Sequence, residues 1–134
     1  MPPRRADPRA GRDAVAAALA ALGDGEQPPR QVLRPAVRFL LDLLAERAPG
    51  KAVEVRVPPY AAVQCVAGPR HTRGTPPNVL ETDAGTWILL ATGRLSWAEA
   101  DAAGRVAASG ARADISPYLP LYRPRPDQFT TGRR

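Results

Sequence analysis

The sequence predicts an α+β domain in which helices cover a single antiparallel sheet. Three observations lead to this fold class. A long helix with a broad apolar stripe is indicated before Pro49, and residues of alternating polarity follow from Val53 onwards. Two short helices and a return strand then occupy residues 83–110. At 134 residues the chain has room for one domain with one core.

Two helices begin the domain. Asp13 is a candidate N-cap for a short helix, which the run Gly23-Asp-Gly ends. The second helix has Pro35 near its start, where a missing N–H costs little, and Pro49 after its end. Its apolar residues keep helical spacing and form a stripe that suits packing across a sheet. They are Leu33, Val37, Leu40, Leu41 and Leu44, and Phe39 and Leu43 widen the stripe.

Three strands are expected next. Residues 53–57 alternate valine with polar residues, so one face of this strand is apolar and the other is solvated. Pro58 and Pro59 interrupt the pattern before residues 61–67 resume it, which indicates an antiparallel hairpin. A third strand is expected at residues 78–82.

Two short helices follow the strands. Asp83 caps the first of them, and Ser96 opens the second through a capping box. Gly93 and Gly104 are expected to end the two helices. A strand of period two then runs to residue 110, and an apolar segment covers residues 115–121.

The positive charge is concentrated at the two ends of the chain. The net charge is +6, of which residues 1–12 carry +3 and residues 123–134 carry +3, so residues 13–122 are neutral. Both ends are rich in proline and arginine and poor in bulky apolar residues, and we expect them to be disordered tails around a domain at 13–122. They are candidates for weak contact with anionic surfaces as well as simple solubilising ends, and nothing indicates a specific nucleic-acid site.

Cysteine content and hydropathy bound the cellular context. The single cysteine excludes an intramolecular disulfide, which agrees with a reducing compartment. No apolar run reaches the roughly 18 residues of a membrane span, and the first residues are charged rather than apolar. The sequence therefore predicts a cytoplasmic protein.

Residues 93–110 carry a resemblance to a known family. They read Gly-Arg-Leu-Ser-Trp-Ala-Glu-Ala-Asp-Ala-Ala-Gly-Arg-Val-Ala-Ala-Ser-Gly and resemble, without a gap, the C-terminal signature of the sterol carrier protein family. Residues 63–78 resemble a small bacterial branch of that family, and the order of elements is similar over residues 30–121. The resemblance implies non-catalytic binding or transfer of a lipid or other hydrophobic ligand in an apolar tunnel between sheet and helices.

The resemblance also implies which residues line the tunnel. In the family these are mostly apolar residues on the two short helices and the C-terminal segment. The corresponding residues here are Trp87, Leu90, Leu95, Trp97, Tyr118 and Leu119. Ala108 stands where the family usually has a larger aliphatic residue and Trp97 where it often has proline, so the tunnel volume is open. Plain core packing is the alternative interpretation of the same residues.

The loop at residues 68–77 is a candidate head-group site. Arg70, His71 and Arg73 lie close enough in sequence to converge on one anion, and guanidinium groups bind phosphate or carboxylate bidentately. An anionic head group at the mouth of an apolar tunnel would be a coherent ligand. Alternatively, these arginines pair with nearby carboxylates and only brace a long connection.

Two other functions stay open on the sequence alone. One is a scaffold or protein-interaction module with a collapsed tunnel, and the other is a small enzyme that acts on an anionic substrate through the loop. Cys65 and His71 are the thiol and the imidazole that a thiol-histidine enzyme would need. A cysteine on a predicted central strand, however, is most often an inert core residue. One histidine and one cysteine do not build a zinc site, and no cofactor is predicted.

Overall fold

The structure is a computed structural model that describes residues 7–68 and 78–124. Two helices come first, α1 at Pro8–Gly23 and α2 at Arg30–Arg47. The strands β1, β2 and β3 follow at Val53–Val57, Ala61–Cys65 and Asn78–Thr82. Helices α3 and α4 cover Ala84–Ala91 and Trp97–Ala102, β4 is Val106–Ser109, and a 3-10 turn lies at Ser116–Tyr118.

Helix α1 begins five residues before the predicted cap. The carboxylate of Asp7 accepts a hydrogen bond from the backbone N–H of Arg9 at 3.0 Å, and Pro8 occupies the first turn. The prediction that Asp13 caps this helix is therefore wrong, and residues 8–12 belong to α1 rather than to a tail. The other residues assigned to disordered tails, apart from 7, 123 and 124, lie outside the described residues.

The helices cover one face of a four-stranded sheet. Helix α2 packs on β2 and against both α1 and α3. The covered face of β1 presents three fully buried valines, whereas Glu54 and Arg56 lie on the other face and pair with each other. One solvated face and one helix-covered face confirm the predicted α+β class.

The sheet is mixed rather than antiparallel throughout. Its strand order is β2-β1-β3-β4, and β1 pairs with β3 in parallel while the other two pairings are antiparallel. The reason lies at one end of β1: Val53 pairs with Cys65, where β2 ends, and with Asn78, where β3 begins. A strand that starts beside the start of β1 runs in the same direction as β1. The antiparallel hairpin of β1 and β2 is confirmed.

The caps of the short helices agree with the sequence prediction. Asp83 accepts from the backbone N–H of Thr86 at 3.0 Å. Ser96 and Glu99 exchange two hydrogen bonds, at 3.0 and 3.1 Å, and so form the capping box. Gly104 has a φ of 70° and follows α4 in the left-handed region.

Candidate functional site

Two of the six residues implied as tunnel lining lie in the packed core. Trp87 and Leu90 on α3 are 0% and 1% exposed. The indole N–H of Trp87 donates to the carbonyl of Val37 at 3.4 Å, which links α3 to α2. Trp87 belongs to the same cluster of buried side chains as Leu40 and Ile88. In this conformation a ligand would reach Trp87 only by displacing core side chains.

The other four residues are half-buried. Leu95 and Trp97 lie at the start of α4, and Tyr118 and Leu119 belong to the C-terminal segment. All but Leu95 pack against the core. None of the six lines any of the four surface grooves described along residues 7–68 and 78–124.

An apolar groove lies beside the C-terminal segment, and we name it the C-terminal groove. Its volume is 370 Å³, within the range of small-molecule sites. Five apolar side chains and three charged ones line it. They are Pro8, Phe39, Leu43, Leu121 and Tyr122, with Arg12, Asp42 and Glu46 at the charged positions.

The outer wall of this groove is held in place by Arg47. Its guanidinium donates to the carbonyls of Tyr118 at 3.0 Å and Pro120 at 2.7 Å. The backbone N–H of Leu121 donates to the carbonyl of Ala91 at 2.8 Å. The segment is thereby fixed between the end of α2 and the end of α3, and the groove is preformed.

An aromatic pair forms part of the groove lining. The rings of Phe39 and Tyr122 meet edge to face, with centroids 5.4 Å apart and planes at 84°. Phe39 also contacts α1, where Gly11 leaves room for its ring. Sequence reasoning placed Phe39 and Leu43 on a widened stripe but did not assign them to a site. The breadth of that stripe, which Phe39 and Leu43 extend, was the signal available in the sequence.

The three residues predicted to bind a head group lie outside the described residues: Arg70, His71 and Arg73. The described chain on either side of them can be placed. The N–H of Val66 donates to the carbonyl of Ala48, just after α2, and Asn78 donates to the carbonyl of Ala52 at 2.8 Å. Both flanks of the loop therefore lie at the end of the sheet next to the C-terminus of α2.

Cys65 in the core and Asp83 at the cap of α3 both have shifted pKa values. Burial raises the pKa of the Cys65 thiol to about 11, which keeps it protonated at neutral pH. Burial also opposes ionisation of Asp83, but hydrogen bonds from Thr86 and the nearby charge of Arg105 outweigh it and lower the pKa of that carboxyl. Within the described residues no three His, Cys, Asp or Glu side chains are placed to hold a metal ion.

The guanidinium of Arg105 completes a small polar cluster at the start of α3. Its Nε donates to the hydroxyl of Thr86 at 3.1 Å, and that hydroxyl donates to Asp83 at 2.6 Å. The carbonyl of Arg105 accepts from the hydroxyl of Thr82 at 2.8 Å. These bonds join β3, α3 and the start of β4, and every polar side chain in the cluster has a structural partner.

No helix among the described residues is both long enough and apolar enough to cross a membrane.

Comparison with known proteins identifies the family of the chain. No curated protein matches the sequence. The model of a family described as "Bacterial SCP ortholog" matches residues 29–121, more than half of the chain, from just before α2 to the C-terminal segment. With its helix-covered sheet and capped α3 and α4, this chain belongs to the bacterial orthologs of the sterol carrier protein family.

Proposed function

We propose that the protein binds a hydrophobic ligand, without converting it chemically, in the C-terminal groove. Membership of a carrier family supports binding of a hydrophobic ligand. The observation that carries the location is the meeting of five apolar side chains in an open space of 370 Å³. Filling this space removes apolar surface from water on both the ligand and the protein.

The position of the groove on α2 sets the orientation that we propose for the ligand. Arg12, Asp42 and Glu46 line its rim, and Asp42 already pairs with Arg38 at 3.5 Å. An acyl chain would lie on Phe39 and Leu43 along the length of α2. The helix ends near the flanks of the loop at residues 69–77, which supports an anionic head group close to Arg70, His71 and Arg73 as part of the proposal.

A pair of matched leucine variants tests the location. Leu43 and Leu89 are both half-buried, and each lines a different groove. We expect Leu43→Trp to weaken binding of a fluorescent long-chain fatty acid about tenfold, equivalent to ~1.4 kcal/mol, because the indole fills the groove. Leu89→Trp should bind like the wild type. Equal affinities of the two variants would show that the ligand binds elsewhere.

The chemistry of the head group is tested separately. Replacing both Arg70 and Arg73 with alanine should weaken a fatty acid by about 1–3 kcal/mol, the usual range of charge-assisted hydrogen bonds. A fatty alcohol of the same length should be affected little. Equal losses for acid and alcohol would assign the loop a bracing role. Failure of the wild type to bind either compound would refute the proposed function and favour a scaffold role.

A further inference from the structure

A second groove lies at the opposite end of α2 from the C-terminal groove, and we name it the arginine groove. Its volume is 560 Å³. The first turns of α2 contribute Arg30, Gln31 and Arg34, and the turn between β1 and β2 contributes Pro59 and Tyr60. Every charged side chain in its described wall is cationic.

The two arginines have no counter-charge in the described structure. Arg30 and Arg34 are four residues apart on one helix, so their guanidinium groups are neighbours and repel each other. Within residues 7–68 and 78–124 neither guanidinium forms an ion pair or a hydrogen bond, whereas the guanidinium of Arg38, one turn further on, pairs with Asp42. The first turn of α2 also contains no acidic residue. A like-charge pair at this spacing is unfavourable by a few tenths of a kcal/mol, and a bound anion would offset it.

The remaining wall residues indicate the kind of anion. Guanidinium groups bind phosphate oxygens bidentately, and the amide of Gln31 and the hydroxyl of Tyr60 are neutral donors for further oxygens. The half-buried ring of Tyr60 and the ring of Pro59 give the groove an apolar side. A volume of 560 Å³ accommodates a phosphate together with part of the group that carries it.

We propose that the arginine groove binds a phosphate group, carried either by a lipid head group or by a small soluble compound. The proposal is independent of hydrophobic ligand binding, because the two grooves share no residue. The interaction rests on the two arginines, which would lose their mutual repulsion on binding a dianion.

The test measures thermal stability of the full chain against added phosphate. Inorganic phosphate should raise the melting temperature of the wild type above its value in sodium chloride of equal ionic strength. The variant Arg30→Gln with Arg34→Gln should lose this rise, and in phosphate-free buffer of low salt it should melt above the wild type because the repulsion is gone. Arg38→Gln, a matched control on the same helix, should keep the phosphate-dependent rise.

Two lipid arms distinguish the sources of the phosphate. A lipid head group is identified if the wild type co-sediments with vesicles of phosphatidylcholine and phosphatidic acid but not with vesicles of phosphatidylcholine alone. The double variant should then fail to co-sediment with either kind of vesicle. A rise in melting temperature with phosphate and no variant-sensitive vesicle binding would identify a soluble ligand. The proposal is refuted if the double variant matches the wild type in both assays, or if it melts lower in phosphate-free buffer and keeps the phosphate-dependent rise.

Discussion

Removal of the Arg47 side chain should release the C-terminal segment and open the wall of the C-terminal groove. The guanidinium makes two short hydrogen bonds, to the carbonyls of Tyr118 and Pro120, and a third to that of Leu121 at 3.5 Å. The third is too long to count for much. The two short bonds are solvent-exposed, which places each near the lower end of the range for bonds to a charged group.

These bonds together set the expected magnitude. Arg47→Ala should destabilise the protein by about 1–3 kcal/mol, which for a chain of this size corresponds to a fall in melting temperature of about 4–12 °C. Alanine keeps the helix propensity of arginine, so the loss reports on the contacts rather than on α2 itself. Hydrogen exchange should also accelerate at the amides of Leu121 and Tyr122, which donate to Ala91.

The matched control is Arg38→Ala on the same helix. Arg38 forms a surface pair with Asp42 at 3.5 Å, and such pairs contribute about 0–1 kcal/mol. The control should therefore melt close to the wild type and retain slow exchange at Leu121. Equal melting temperatures for the two variants would refute the view that Arg47 anchors the segment. Loss of fatty-acid binding in Arg47→Ala alone would in addition connect the anchor to the groove.

Three further predictions follow from single positions. Gly11→Ala should destabilise the protein by about 1–3 kcal/mol, because the new Cβ would lie 2.6 Å from the ring of Phe39. At Gly23 a new Cβ would meet no atom within 4 Å, so Gly23→Ala should be neutral or slightly stabilising. Chemical denaturation of the two variants checks both expectations. Gly104→Val should cost on the order of 1–2 kcal/mol more than Ala103→Val, because Gly104 has a φ of 70° whereas Ala103 has a φ of −85°. Equal melting temperatures of the two variants would contradict this. The pKa of Asp83 is lowered from 3.8 in the folded state, so its contribution to stability is present above pH 3.8 and is lost as pH falls through the lower, folded-state pKa. Asp83→Asn should therefore flatten the acid limb of the stability profile. Asp101→Asn, at another exposed carboxyl, is the control.

The sequence predicted those elements whose signals are local. Alternating valines predicted β1, and apolar residues with a period of 3.6 predicted α2. Both patterns arise because burial of one face of an element leaves a regular spacing of apolar residues along the chain. The capping box at Ser96 depends on residues only three positions apart. The start of α1 was missed although Asp7 followed by Pro8 is a cap signal, because the surrounding arginines and prolines resemble a disordered tail.

Features that depend on distant parts of the chain were not predictable in this way. Alternation determines which face of a strand is buried but not which strand lies beside it, so the parallel pairing of β1 with β3 left no local trace. The C-terminal groove likewise combines α1, α2 and residues 121–122. Tyr122 was placed at the edge of the domain by composition alone, and only its contact with Phe39 shows that it forms a wall.

The packing of the core leads to a last prediction, which separates the C-terminal groove from a tunnel under α3. A ligand between sheet and helices must displace large buried side chains such as Trp87, and emptying such a site costs about 2–5 kcal/mol for each side chain. The C-terminal groove is already open and requires no such cost. In Trp97→Phe, Trp87 is the only remaining tryptophan, and we expect its emission to stay unchanged when a non-fluorescent fatty acid saturates the protein. A shift or quenching of that emission would show that the core opens and that the ligand lies against α3, as the family resemblance alone implied.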